Sequence, residues 1–395
     1  MINYIDRQVL SVVAPVLTKE LGLTSAEYSY ILSAFLVAYT AMYLGSGVLV
    51  DRWGTRVSLA VFVGWWSVSN MLHGLARSVM QLTVLRVLLG LGEPGNFMAA
   101  VRAISEWYPA KERAFVNGLV QAGASVGAVA APPVVVLLMR WYGWRMAFVA
   151  TGALGLVWLA AWWLLYRLPQ EHPWITPEER ALVPASPPLR TVKTPWLKLL
   201  GYRQTWGLLL GRFFSDPVWW FYLFWLPKYL ADKRGFTMEQ IGMLAWLPYL
   251  AADVGAVVGG VLSGYLVKRG WEVLRARSGG MLPFAMLMPL SLLIPATESN
   301  AVTLVVISVV TFSHMAWKTN IMTITNDIYP THVVGSVAGI VAFGNGLGGT
   351  LFTSLTGQIV ERYQSYNSIF VVMGFLHPLA YVVFRWLVRG PVEME

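Results

Sequence analysis

In the stretch Arg86-Val-Leu-Leu-Gly-Leu-Gly-Glu93-Pro-Gly-Asn96, an arginine and a glutamate sit inside an apolar run from Val79 to about Ala103. About 20 apolar residues cross the hydrocarbon core of a bilayer, and an ionisable group near its centre costs roughly 2.5–3.5 kcal/mol on insertion scales. The two residues are two helical turns apart, so Arg86, Gly90 and Glu93 share one face. Pro94 removes a backbone donor beside Glu93 and is expected to bend the helix there. A charged face of this kind is kept in lipid when it lines a wet cavity. A second pair, Asp6-Arg7, follows Asn3-Tyr4-Ile5 at the start of the chain. A carboxylate stripped of water needs a cation, and the planar guanidinium of Arg7 or Arg86 offers it a two-pronged fit. The chemistry that suits these residues is reversible binding of a small organic anion on a path through a membrane.

Composition agrees with a membrane protein. The chain is 56% hydrophobic and 12% charged, with 36 Gly and 19 Trp, as expected of close-packed helices and interfacial aromatic belts in a lipid bilayer. It has no cysteine, which excludes disulfides and thiolate metal sites. Its five histidines, His73, His172, His314, His332 and His377, include no pair spaced i,i+4, and no metal site is expected. Those in apolar runs read as packed core residues. The net charge of +9 would suit nucleic acid, but Lys and Arg cluster in alternate loops, which is a membrane-topology pattern, and no nucleic-acid partner is expected. Gly90-Leu-Gly-Glu-Pro-Gly95 and Gly344-Asn-Gly-Leu-Gly-Gly349 match the glycine spacing of dinucleotide sites. They lie in apolar helices, without the preceding strand such a site needs. The sequence carries no P-loop and no nucleophile–base pair, so neither ATP drive, nor a cofactor, nor enzymatic activity is expected.

About twelve apolar segments position these residues, an all-α arrangement. The first, Tyr4 to about Leu17, is shorter than a full span. Helix 1 is expected to be truncated at its N-terminus, with roughly ten apolar residues ahead of Met1. Further helices are expected at about 28–50, 57–76, 79–105, 114–139 and 145–166, then at about 205–231, 240–267, 279–296, 301–326, 333–359 and 367–388. Between the two sets runs a polar, proline-rich segment in which Thr176-Pro-Glu-Glu179 is a capping box for a short surface helix. The expected organisation is an N-terminal six-helix bundle over residues 1–166, a linker over 167–204 and a C-terminal bundle over 205–395. The loops rich in Lys and Arg, among them Arg52, Arg56, Lys111, Arg113, Lys268, Arg269, Arg275 and Arg277, alternate with poorer ones, which puts both termini in the cytoplasm.

The halves repeat weakly. Gly47-Val-Leu-Val-Asp51-Arg52-Trp-Gly54-Thr-Arg56 after the second helix corresponds to Gly260-Val-Leu-Ser-Gly264-Tyr-Leu-Val-Lys268-Arg269-Gly270 after the eighth. Each is a small-residue helix end running into a tight basic turn. With six plus six helices and that first turn, the chain resembles the major facilitator superfamily. Within it, the chain is similar to the anion:cation symporter family and most of all to hexuronate transporters. The matching residues run along nearly the whole chain: Asn3-Tyr4-x-Asp6-Arg7, Tyr28-Ser-Tyr-Ile-x-Ser-Ala-Phe-x-x-Ala-Tyr39, Arg86-x-Leu-Leu-Gly-x-Gly-Glu93, Glu106-Trp-Tyr-Pro-Ala-Lys-Glu-Arg113, Ala131-Pro-Pro133, Arg212-Phe-x-Ser-Asp216-Pro-x-Trp219, Trp317, Asn320, Asp327 and Gly335-Ser-Val-x-Gly339.

The resemblance implies the major facilitator fold of twelve transmembrane helices and a multi-pass transporter in the cell membrane, working as a monomer. It implies proton symport of a sugar-acid anion such as glucuronate or galacturonate by alternating access. Asp6 and Glu93 would be the proton-coupling carboxylates, Arg7 and Arg86 their partners in exchange with the substrate, and Tyr4, Tyr39 and Asn320 hydrogen-bonding contacts. Asp51, Arg52 and Arg56 would form a gating turn. Asn96, Gln121, Arg212, Asp216, Trp219, Tyr222, Lys318 and Asn345 are further polar or amphipathic residues available to a cavity, with Asp253 beside them. Arg102 is expected to snorkel to the interface. Two other functions stay open: transport or exchange of another organic anion, such as an aldonate, aromatic or dicarboxylic acid, and export of drugs. An exporter of cations calls for buried acids in excess, whereas here each acid has an arginine near it in sequence.

Overall fold

The computed structural model describes the backbone of residues 1–108, 110–182 and 196–392, and their side chains except at 44, 51, 110–115, 117–118, 121–122, 181–182, 196–197 and 331–332. It is all-helical over these residues. Among the described residues, six helical rods precede the polar connection: α1 (Ile2–Leu21), α2 (25–53), α3 (55–73), α4 (Val79–Trp107), α5 (110–142) and α6 (144–165). Six follow it: α7 (203–234), α8 (Met238–Lys268), α9 (Val273–Ala296), α10 (Asn300–Ile328), α11 (Thr331–Tyr363) and α12 (Asn367–Leu387). The boundaries between α2 and α3 and between α5 and α6 are single glycines, Gly54 at φ 74° and Gly143 at φ 80°. Only glycine adopts that left-handed backbone without strain, so each pair of antiparallel rods turns on one residue. The connection itself carries short helices at Pro177–Leu182, the segment foreseen from its capping box, and Trp196–Leu200.

Local signals repeat between the two sets. Left-handed Gly22 and Gly235 end α1 and α7. Reciprocal capping boxes, Thr24 with Glu27 and Thr237 with Gln240, start α2 and α8, and Ser78 and Ser299 cap α4 and α10. Gly54 and Gly270 both take positive φ in the two basic turns that the sequence pairs. Among the described residues, seven stretches are long and apolar enough to cross a membrane: α4, 123–165, and each of α8 to α12. α1, α2, α3 and α7 are not among them; α1 carries Asp6 and Arg7, and α7 carries Arg212 and Asp216.

The two sets of helices meet at one end. The Ser33 and Ser354 hydroxyls share a hydrogen bond of 2.8 Å, Ser25 N donates to Glu361, the Tyr28 hydroxyl donates to the Phe224 carbonyl, and Arg140 pairs with Glu239. Gly346 and Gly357 of α11 face Thr40 and Ser29 of α2 so closely that an added Cβ would fall about 2 Å from a hydroxyl oxygen. One continuous apolar core, from Val9 and Leu32 to Phe224 and Phe370, crosses between the sets at this end. At the opposite end Arg102 pairs with Glu106, Thr55 donates to Glu106, and Arg277 pairs with Asp327, each contact made within one set. A second core there, built on Leu208, Met281, Trp317, Ile324 and Phe384, belongs to the later helices alone.

Candidate functional site

Arg7 and Glu93 form the centre of the site. Arg7 Nε and Nη2 donate to the same glutamate oxygen at 2.9 and 2.5 Å, and the pair is buried between α1 and α4. Pro94 starts the second segment of α4, so the break in that helix falls at Glu93, as the sequence implies. Four aromatic rings surround the Arg7 guanidinium carbon: Tyr39 at 4.8 Å, Tyr4 at 4.9 Å, Phe35 at 5.6 Å and Trp220 at 5.7 Å. Trp220 belongs to α7 and donates through Nε1 to Asn345 Oδ1 of α11 at 2.8 Å. The later helices therefore supply one wall of the Arg7 box.

Arg86 stands beside this pair with 0% of its surface exposed, and none of its three guanidinium nitrogens has a partner. Phe35, whose ring centroid lies 5.9 Å from its guanidinium carbon, also borders Arg7. The second Glu93 oxygen and both polar atoms of Asn3 are buried and unpartnered as well. Asp6 faces another way. Its Oδ1 accepts from Asn70 Nδ2 of α3 at 2.8 Å, and the same amide reaches Thr151 of α6. The expectation that each acid sits against an arginine thus holds for Glu93, while Asp6 is held by an amide. Asn70 and Thr151 are polar residues in apolar helices that the sequence reading passed over.

Of the predicted residues, Tyr4, Arg7, Tyr39 and Glu93 come together, Arg86 shares Phe35 with Arg7, Asn345 joins them through Trp220, and Asp6 turns to Asn70 instead. The amide of Asn320 donates to the Gly259 and Ala316 carbonyls, which ties α10 to α8, and its Oδ1 is buried without a partner. Tyr222 is fully buried, and its carbonyl accepts from the Tyr249 hydroxyl. Arg212 and Asp216 form a buried i,i+4 pair within α7. Trp219 stacks on His314, the Lys318 ammonium lies 5.9 Å from the centroid of that indole, and Asn96 and Asp253 are half-buried. The side chains of Gln121 and Asp51 lie outside the described residues. In the basic turn Arg52 is exposed, while Arg56 donates to the Trp163 carbonyl and stacks on its ring, a contact inside the first six helices. Arg102 does not simply snorkel; it donates to Glu106 and to the Val50 carbonyl. Burial, with Glu106 beside it, holds the phenol of Tyr166 well above its usual range.

Residues 1–353 match the family described as Major Facilitator Superfamily. The chain belongs to that superfamily. It is 31% identical over 401 residues to the hexuronate transporter of Escherichia coli, covering 100% of this chain and 93% of that protein. It is 35% identical over 268 residues to the galacturonate transporter of Dickeya chrysanthemi, covering 66% of this chain and 77% of the other. In fold, it superposes with a TM-score of 0.79 and 20% identity on a bacterial homolog of the human lysosomal transporter Spinster in an inward-facing, unoccupied conformation, covering 99% and 96% of the two chains. The chain is thus a multi-pass membrane protein of a transporter family, related to carriers of sugar acids and not to enzymes.

Proposed function

We propose that the protein imports a sugar-acid anion, a hexuronate such as glucuronate or galacturonate, by proton symport and alternating access, as two six-helix bundles over residues 1–166 and 205–395 joined by a linker over 167–204. The observation that carries this reading is Arg86, a fully buried guanidinium with no partner, set beside a second arginine already engaged by a carboxylate. A buried cation without an anion is costly, so the site is built to receive one from outside the chain. The full-length similarity to a hexuronate transporter supports the class of anion.

The mechanism follows from what each side chain can do. The substrate carboxylate docks on Arg86 and competes with Glu93 for Arg7. Tyr4 and Tyr39, whose rings lie at the faces of Arg7, hydrogen-bond sugar hydroxyls on this reading. A carboxylate that loses its cation in a low-dielectric site is left with desolvation alone and takes up a proton. Glu93 is the acid exposed to this exchange, and Asp6 on its Asn70 support is the second proton-coupling carboxylate. With substrate and proton bound, the halves rock about the site. By the distribution of Lys and Arg, the end bearing Arg52, Arg102 and Arg275 faces the cytoplasm with both termini. The Ser33–Ser354 end is then the closed outer side of a cytoplasmic-membrane monomer. Uptake of labelled galacturonate into proteoliposomes tests the reading. An inward proton gradient should drive accumulation, and a protonophore should abolish it. Accumulation indifferent to the protonophore, or no binding of any sugar acid, would overturn it.

A further inference from the structure

Lys318 of α10 is a second cation that the polar contacts of the protein leave without an anion. It is half-buried, and among the described residues it makes no hydrogen bond or ion pair. Its ammonium lies 5.9 Å from the ring centroid of Trp219, which stacks on His314 one helical turn away at 6.0 Å. On the same helix as Trp219, the Asp216 Oδ2 is taken by Arg212 through Nε at 2.6 Å and Nη2 at 2.5 Å. Trp219, beside Lys318, is followed in α7 by Trp220, which closes the Arg7 box. Lys318 is thus joined to the first group through the α7 tryptophans, from the opposite set of helices. An indole face offsets only part of the desolvation of an ammonium. A partly accessible lysine in this position calls for an electron-rich group that enters and leaves.

We infer that Lys318 is the specificity-determining residue for the end of the substrate opposite the carboxylate on Arg86. This rests on the proposed sugar-acid reading of the Arg86 site and adds to it a contact from the later helices. A hexuronate offers this lysine a hydroxyl or ring oxygen. An aldarate, the sugar acid with a carboxylate at each end, pairs both cations at once. Hydrogen bonds to a charged partner are worth more than neutral ones, so the second carboxylate gains the larger share from Lys318.

The test is binding of galacturonate and galactarate to purified wild-type, Lys318→Gln and Lys318→Arg proteins by calorimetry, with Arg86→Ala alongside. Wild type should bind galactarate, Lys318→Gln should lose about tenfold or more for galactarate and less than about threefold for galacturonate, and Lys318→Arg should restore most of the loss. Retained galacturonate binding shows that the variant is folded. The inference fails if wild type binds galacturonate but not galactarate, or if Lys318→Gln weakens both ligands equally or neither. If Arg86→Ala leaves both ligands bound, the sugar-acid reading of the site itself fails, and the inference with it.

Discussion

The two halves each bury an arginine–carboxylate pair beside a cation without an anion, yet the two groups are built differently. In the first, Arg7 and Glu93 are 86 residues apart and lie on different helices. In the second, Arg212 and Asp216 are four residues apart on one helix. A pair within one helix keeps its geometry however the helices move, because the backbone fixes its spacing. A pair between two helices breaks when they shift or when a competitor takes one partner. The first group is therefore suited to exchange, with an arginine that can be shared between Glu93 and a substrate carboxylate. The second is suited to structure, leaving Lys318 as its one reactive member.

The contrast can be broken most sharply at Arg86. Arg86→Ala should reduce galacturonate affinity by about a hundredfold or more, since losing one partner of a desolvated charge pair costs about 2–5 kcal/mol. Calorimetry on the purified variant checks this, and affinity within threefold of wild type would remove Arg86 from the site. The second group should respond in stability instead. Arg212→Met leaves Asp216 buried and unpaired and should cost about 3–5 kcal/mol, seen as a lowered midpoint of thermal unfolding in detergent. Unchanged thermal stability would show that the pair has no structural role. A smaller effect should follow at Gly346, where α2 and α11 touch. Gly346→Val inserts side-chain atoms into Thr40 and should slow transport several-fold, while equilibrium affinity stays within about threefold, because the binding residues are untouched. The smallest effect is expected at Asn320. Asn320→Ala should leave galacturonate affinity within about twofold and lower stability by about 1 kcal/mol, as its amide holds α8 to α10. A large affinity loss there would bring Asn320 back to the substrate.

Much of the first group was legible because a charge in an apolar run is expensive, and Arg7, Arg86 and Glu93 stand out on that ground alone. Their partnerships were not. Residues 86 and 93 share a helical face but are about 10 Å apart along the axis, too far for a direct ion pair, so the partner of Glu93 had to come from another helix. Asn70 and Thr151 escaped notice because a neutral amide or hydroxyl carries little cost signal in a helix. The polarity of Asn320 is visible in sequence, but the direction of its amide is set by packing of α10 on α8. His314 and His377, 63 residues apart, meet through a 3.1 Å hydrogen bond that no local spacing announces. The fold was more legible, since glycine turns, capping boxes and apolar runs act locally, and the same caps recur at equivalent helices of both halves.

Coupling on this mechanism requires that the substrate displace Glu93 from Arg7 and that the freed acid take up a proton. Proton uptake on binding, followed with a pH-sensitive dye in weakly buffered solution as galacturonate is added to purified protein, tests it most directly. If the bound state holds more protons, linkage requires affinity to strengthen as pH falls. Wild type should take up protons and bind more tightly at lower pH. Glu93→Gln, a neutral mimic of the protonated acid, should still bind with both effects diminished. Binding by wild type without proton uptake, or undiminished uptake by Glu93→Gln, would contradict the account.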